Sequence, residues 1–118
     1  MGYGIILVEN DQKNNENLTK MLERRGHYVF SYESAETLIS DLHDMDLRYD
    51  VVVVDRELGK RYSGDVLVHE LKMKYPTKPI ISMSCYNQKA EQADYFLGKP
   101  FGIDELVRKI NQAVNGSY

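Results

Sequence analysis

The stretch Tyr49-Asp50-Val51-Val52-Val53-Val54-Asp55-Arg56-Glu57 decides the fold of this chain. Four consecutive β-branched residues disfavour a helix, and an uninterrupted apolar run is typical of a strand buried on both faces, as in the middle of a parallel sheet. An ionised carboxylate cannot continue such a strand, so Asp55 marks its carboxyl end. Open α/β sheets bind their ligands at that end. We therefore take Asp55 as the candidate reacting residue.

Length and charge narrow the class of protein. The 118 residues suit one domain, which we expect to span 1–118. A net charge of -3 argues against direct binding to nucleic acid, which needs a basic face. The lone Cys85 fits a reducing, cytoplasmic environment, and no apolar run approaches the length that spans a membrane.

Hydrophobic patterning predicts alternating strands and helices along the rest of the chain. Short apolar runs at 4–8, 28–30, 79–84 and 94–97 predict four further strands. The helical patterns lie at 14–25, from the expected N-cap Ser34 through Leu42, from Ser63-Gly64-Asp65 to Tyr75-Pro76, and at 103–114. This alternation predicts an α/β fold, in which a parallel sheet carries helices on both faces.

The interval between the last two strands is short. Only residues 85–94 separate Ser84 from Tyr95, whereas a parallel crossover with its helix needs about 10–12 residues or more. We therefore predict a shortened or irregular fourth helix, of about one turn, within Gln88–Gln92.

Polar side chains at the predicted strand ends meet at one edge of this sheet: they are Glu9, Asn10, Asp11, Asp55, Glu57, Ser84 and Lys99. Clustered carboxylates repel one another, and a divalent cation such as Mg²⁺ relieves that repulsion. A carboxylate can attack phosphorus to give an acyl phosphate. A metal ion, an ammonium group and a hydroxyl donor can then share the charge on the phosphoryl oxygens.

This order of motifs resembles the receiver domain of two-component response regulators. The resemblance rests on the acidic cluster after Ile5-Ile6-Leu7-Val8, Asp55 after the valines, Gly64 beyond a loop, Ser84, and Lys99-Pro100-Phe101. It implies a flavodoxin-like (CheY-like), doubly wound sheet of five parallel strands in the order 2-1-3-4-5. It also implies a signalling protein rather than an enzyme. Such a protein takes a phosphoryl group from a histidine kinase or phosphotransfer protein, using Mg²⁺, catalyses only its own phosphotransfer and dephosphorylation, and signals by a conformational change.

The resemblance also implies individual roles. Asp55 would be the phosphoacceptor, with Ser84 and Lys99 contacting the phosphoryl group. Phe96 matches an aromatic residue that turns inward when the hydroxyl of Ser84 is drawn to the phosphate. The bond between Lys99 and Pro100 is often cis in this family. The implied metal ligands are Glu9, Asn10, Asp11, Asp55 and the backbone carbonyl of Glu57.

One position in the acidic cluster departs from the family pattern. Asn10 stands where a metal-binding carboxylate is usual, and an amide oxygen contributes no charge, so we expect weak Mg²⁺ affinity. Asp11 either compensates by turning toward the crevice or caps the following helix.

Three other functions compete with the phosphoacceptor. The main alternative is a pseudo-receiver that binds proteins without phosphate, which Asn10 and the short fourth helix favour. A phosphatase of the haloacid dehalogenase type is disfavoured because Asp55-Arg56-Glu57 lacks a second aspartate. Flavin binding is disfavoured because the loop after the first strand is acidic. The resemblance also implies that the signal passes to an output domain or through a homodimer.

Overall fold

Five strands form one parallel sheet in the part of the chain that the structure, a computed structural model, describes: residues 2–59, 63–86 and 90–116. The strands are β1 (Gly4–Val8), β2 (Tyr28–Tyr32), β3 (Val51–Asp55), β4 (Ile80–Ser84) and β5 (Tyr95–Gly98). The helices are α1 (Gln12–Arg24), α2 (Ala35–Asp44), α3 (Gly64–Lys74) and α4 (Ile103–Asn115). The strand order is β2-β1-β3-β4-β5, with every neighbouring pair parallel, which confirms the expected fold class.

The central strands contribute side chains to two hydrophobic cores, one on each face of the sheet. In β3, Val52 and Val54 pack on the face covered by α2 and α3, while Val51 and Val53 pack on the face covered by α1 and α4. Side chains alternate between the faces of a strand, so a strand covered on both sides must be apolar at every position. The run of four valines reflects this double burial.

Helix caps are close to where the sequence places them. Ser34 and Ser63 cap α2 and α3 by accepting hydrogen bonds from backbone amides in the first turns. The first helix begins earlier than the predicted Asn14, because Asp11 is its N-cap and accepts from the backbone amide of Asn14 at 3.0 Å. In α3, the apolar residues Val66 and Met73 are exposed, whereas Leu67 and Leu71 are buried.

The segment between β4 and β5 contains no helix in its described residues, 85–86 and 90–94. A turn at Glu91–Gln92 and a backbone hydrogen bond from Ala93 to Ala90 (2.9 Å) lead directly into β5. Part of the predicted helical turn at Gln88–Gln92 lies outside the described residues. None of the helices in the described ranges combines the length and apolar character that crossing a bilayer requires.

Gly64 brings the start of α3 against the end of β3. A Cβ at this position would collide with the backbone oxygen of Asp55 and lie 2.5 Å from the Cα of Arg56. The Gly64 amide donates to the Arg56 carbonyl at 3.0 Å, and the Arg56 guanidinium pairs with both carboxylate oxygens of Asp65 at 2.9 and 3.1 Å. These contacts fix the backbone that carries Asp55.

Candidate functional site

Asp55 lies in the carboxyl edge of the sheet, by which we mean the residues at or just after the ends of β1, β3, β4 and β5: Glu9, Asp55, Ser84 and Lys99. The residue is only 2% exposed. Its Oδ2 is 3.0 Å from Lys99 Nζ, and its Oδ1 accepts from the backbone amide of Glu57 at 3.0 Å. Both oxygens of the candidate phosphoacceptor therefore contact groups that stabilise negative charge.

Glu9 is a second buried carboxylate beside the same lysine. Its Oε1 is 3.4 Å from Lys99 Nζ, and its Oε2 accepts from the Asp11 amide at 3.1 Å. Burial raises the pKa of Glu9 to about 7, and the hydrogen bond to Asp55 adds to the rise. Two buried carboxylates thus share one ammonium group, an arrangement that favours binding of a further cation.

Lys99 keeps its proton despite its position. Burial lowers the pKa of this amine, but the hydrogen bond to Asp55 and the charges of Asp55 and Glu9 outweigh burial and raise it overall. Its backbone amide donates to the Ser84 carbonyl at 2.8 Å, and the Lys99–Pro100 peptide bond is cis, as expected. The charged amine is therefore held at the junction of β1, β3 and β5.

Ser84 is buried, and its hydroxyl contacts Glu57 rather than Asp55. The Ser84 Oγ donates to Glu57 Oε2 at 3.0 Å and accepts from the Tyr86 amide at 3.0 Å. The Cys85 amide donates to the other oxygen, Glu57 Oε1, at 3.0 Å. Sequence analysis assigned a role only to the Glu57 backbone carbonyl and missed this side chain.

A buried carboxamide, also missed from the sequence, positions Glu9. The Asn15 Nδ2 donates to the carbonyls of Glu9 at 3.0 Å and Tyr32 at 2.9 Å, so it joins the ends of β1 and β2. Three asparagines lie close together in α1, at 14, 15 and 17, and of these only Asn15 is buried. Its position on the inward face of the helix is the one signal that distinguishes it.

The remaining predicted site residues are Asn10, Asp11 and Phe96. Asn10 and Asp11 are both exposed, and the Asp11 carboxylate caps α1, which is one of the two roles left open for it. Phe96 is half-buried in β5. Its ring lies over Gly98, 3.3 Å from the position that a Cβ would take there.

The donor set suits a hard divalent cation with few protein ligands. Among the described residues, no three His, Cys, Asp or Glu side chains lie close enough together to hold a metal ion by themselves. Mg²⁺ is commonly bound by one or two carboxylates, with waters or phosphate oxygens completing its shell. The buried Glu9 and Asp55 carboxylates fit that mode of binding.

An open cleft of about 450 Å³ adjoins the carboxyl edge. Glu9 and Lys99 form its polar end, and its apolar wall comes from α1 and the turn after β5, with Met21 and Phe101 among the lining residues. The cleft therefore gives access to Glu9 and Lys99 from the side of α1.

Known proteins resemble this chain along most of its length. The response regulator receiver domain, as a family model, matches residues 5–111. The transcriptional regulatory protein CssR of Bacillus subtilis (strain 168) is 26% identical over 127 residues, which cover 100% of this chain and 54% of CssR. The chain thus spans about half the length of that curated relative.

Solved structures show the same fold. The receiver domain of the Francisella response regulator 1452 superimposes with a TM-score of 0.84 at 20% identity, covering 99% of this chain and 100% of that one. The response regulator protein TrrA from Thermotoga maritima gives a TM-score of 0.82 at 24% identity, covering 96% and 99%. Since the family match extends over nearly the whole sequence, this chain belongs to the response regulator receiver domain family.

Proposed function

We propose that this receiver domain is a phosphoacceptor switch, with Asp55 as the residue that is phosphorylated. The observation that carries the proposal is the buried Asp55 carboxylate, held 3.0 Å from the Lys99 ammonium beside the second carboxylate of Glu9. A buried carboxylate serving only the fold has no need of a neighbouring carboxylate, because like charges destabilise one another.

The chemistry is a single group transfer. An oxygen of Asp55 forms a bond to the phosphorus of a phosphohistidine while the bond between phosphorus and the imidazole nitrogen breaks. The imidazole keeps the bonding electron pair, and the product is an aspartyl phosphate. Lys99 remains protonated throughout and balances the charge on the phosphoryl oxygens.

Mg²⁺ is the cofactor that we propose for this step. Glu9, Asp55 and the Glu57 backbone carbonyl would hold it, with Asn10 and Asp11 as outer candidates, and it would supply charge neutralisation at the phosphoryl oxygens. The related TrrA structure is a complex with Mg(2+)-BeF, which supports this choice. Because Asn10 brings no charge, we expect the affinity for Mg²⁺ to be low.

The proposed partners are a cytoplasmic histidine kinase or phosphotransfer protein, which donates the phosphoryl group, and an output domain or a second copy of this chain, which receives the signal. The cleft beside Glu9 and Lys99 would admit the donor histidine. The relative CssR is a transcriptional regulatory protein that extends well beyond the matched region, which supports an output elsewhere in a longer protein.

Incubation with acetyl phosphate and Mg²⁺, followed by intact-protein mass spectrometry, tests the proposal. We expect the wild-type chain to gain one phosphoryl group and Asp55→Asn to gain none. Asp46→Asn, an exposed aspartate in the loop before β3, is the matched control and should gain the same group. If the wild-type chain gains nothing, the phosphate-independent interaction module becomes the better reading. If Asp55→Asn still gains the group, another residue is the acceptor.

A further inference from the structure

The Glu57 carboxylate occupies two hydrogen-bond donors at the end of β4. Ser84 Oγ donates to its Oε2 and the Cys85 amide donates to its Oε1, each at 3.0 Å. A hydroxyl and a backbone amide that converge on one carboxylate form an anion-binding pair, since charge-assisted hydrogen bonds of this kind are stronger than neutral ones.

This donor pair lies next to the phosphoacceptor. The Glu57 backbone amide donates to Asp55 Oδ1 at 3.0 Å, so Glu57 begins its side chain beside the carboxylate that ends β3. Ser84 ends the strand that pairs directly with β3. A phosphoryl group on Asp55 would therefore enter the region in which Glu57 now accepts its two hydrogen bonds.

The two donors cannot serve both anions. A serine hydroxyl has one hydrogen and a backbone amide has one, and Glu57 uses both. One of the two lone pairs of Ser84 Oγ is engaged as well, because the Tyr86 amide donates to this atom at 3.0 Å. A phosphoryl oxygen can receive the Ser84 hydrogen only when the hydroxyl no longer donates it to Glu57.

We propose that Glu57 is an internal competitor of the phosphoryl group, which holds Ser84 and the Cys85 amide in the unphosphorylated state. Its displacement would link phosphorylation of Asp55 to movement of the loop after β3 and the segment after β4. This inference rests on the proposed function, and it assigns to Glu57 a positioning role that acts through Ser84.

Side-chain changes at Glu57 separate competition for the donors from simple charge repulsion. Glu57→Ala removes the competing acceptor, and we expect the initial rate of phosphorylation by acetyl phosphate and Mg²⁺ to rise about tenfold, the factor for one charge-assisted hydrogen bond. Glu57→Asp keeps the charge but is one methylene shorter, so it loses its reach to both donors and should also be faster than wild type. Glu105→Ala, an exposed glutamate in the first turn of α4, is the control and should leave the rate unchanged.

The same comparison in a Ser84→Ala background tests the route of the effect. Without the hydroxyl there is less to compete for, and the gain from Glu57→Ala should shrink to about twofold or less. A full gain in the Ser84→Ala background would show that Glu57 acts by charge alone and would overturn the inference.

The outcomes also distinguish this inference from the proposed function. If the wild-type chain is labelled at Asp55 but Glu57→Ala is no faster, the proposed function stands and the competitor role is wrong. If only Glu57→Ala is labelled, the competitor role is supported and the native chain acts without phosphate. Labelling of neither overturns both.

A solution measurement checks the contact itself. In NMR spectra, the Cys85 amide proton should resonate further upfield in Glu57→Ala than in the wild-type chain, because the amide loses a charged acceptor. An unchanged resonance would mean that the contact is absent in solution, which also overturns the inference.

Discussion

At the amino edge of the sheet, formed by the residues just before the strands, charged side chains bind backbone groups of neighbouring strands. Asp50 Oδ2 accepts from the Gly4 amide at 2.8 Å. Asp94 Oδ2 accepts from the Ile80 amide at 2.8 Å and lies 2.6 Å from Lys72 Nζ. Each of these carboxylates has a donor of its own, so the amino edge contributes to stability.

At the carboxyl edge, charges of the same sign are placed together instead. Glu9 and Asp55 are both buried and share Lys99, and the pKa of Glu9 is raised to about 7, first by burial and then by Asp55. The two edges belong to the same strands and have the same backbone geometry. Their difference supports the proposal that the carboxyl edge receives a cation and a phosphoryl group, at a cost in stability.

Removing the shared cation should have the largest effect. We expect Lys99→Ala to lower the rate of phosphorylation by acetyl phosphate about 100-fold, the scale for losing one charged donor at a reacting oxyanion. The free energy of unfolding, measured in urea, should change much less. Lys13→Ala, an exposed lysine in the first turn of α1, is the control. A Lys99→Ala chain that fails to fold would mean that Lys99 is structural.

The amino edge should show the opposite response. We expect Asp94→Ala to lower the free energy of unfolding by about 2 kcal/mol, because the Ile80 amide and the Lys72 ammonium both lose an acceptor. Urea denaturation measures the change. Asp46→Ala, which is exposed, should stay within about 0.5 kcal/mol of wild type. Equal losses in the two variants would show that Asp94 is no more structural than a surface residue.

Adding a carboxylate should increase the negative charge at the carboxyl edge. We expect Asn10→Asp to tighten Mg²⁺ binding about tenfold in calorimetry, because Mg²⁺ prefers charged oxygen ligands. Asn111→Asp, exposed in α4, should have no effect. Tight binding of Mg²⁺ by the wild-type chain would contradict the role assigned to Asn10.

Neutralising one of the paired carboxylates should stabilise the metal-free fold. A carboxyl group whose pKa rises from 4.5 to about 7 on folding holds more protons in the folded state between these values, so the free energy of unfolding falls as the pH rises through them. At pH 8 without metal, we expect Glu9→Gln to be more stable than wild type by about 1 kcal/mol.

The exposed Glu23→Gln controls for the change of residue type and should match wild type. Below pH 4.5 the advantage of Glu9→Gln should vanish, because Glu9 is then protonated in both states. A constant difference across the pH range would show that packing, rather than charge, distinguishes the two chains.

The smallest change in stability is expected at Tyr49, whose polar group, unlike those of Asp50 and Asp94 at the amino edge, lacks a partner within the described part of the chain. The Tyr49 hydroxyl is buried without a hydrogen-bond partner, the one such side-chain atom found among the described residues. Its ring still packs edge-on against Tyr75 and beneath the Lys78 ammonium. We expect Tyr49→Phe to raise the free energy of unfolding by about 0.5 kcal/mol in urea, since it removes only the unpaired group. A clear loss of stability would mean that the hydroxyl has a partner in solution.

Local sequence patterns predicted most of the strands and helices of the fold. The valine run of β3 predicted a doubly covered strand, and Ser34 and Ser63 were placed correctly at the starts of helices, because alternation and capping depend on residues close in sequence. Local pattern did not determine the outward orientation of Val66 and Met73. Both are apolar, and only the packing of α3 against the sheet determines which of its faces is covered.

For the site, the sequence determined which groups stand at the strand ends. In a parallel sheet those ends share an edge, so Asp55 and Lys99 were expected together and lie 3.0 Å apart. Which hydrogen bond each side chain makes was decided by the tertiary structure alone. The Ser84 hydroxyl and the Glu57 carboxylate belong to different loops, and they meet only because the loop after β3, held against α3 at Gly64, comes close to the end of β4.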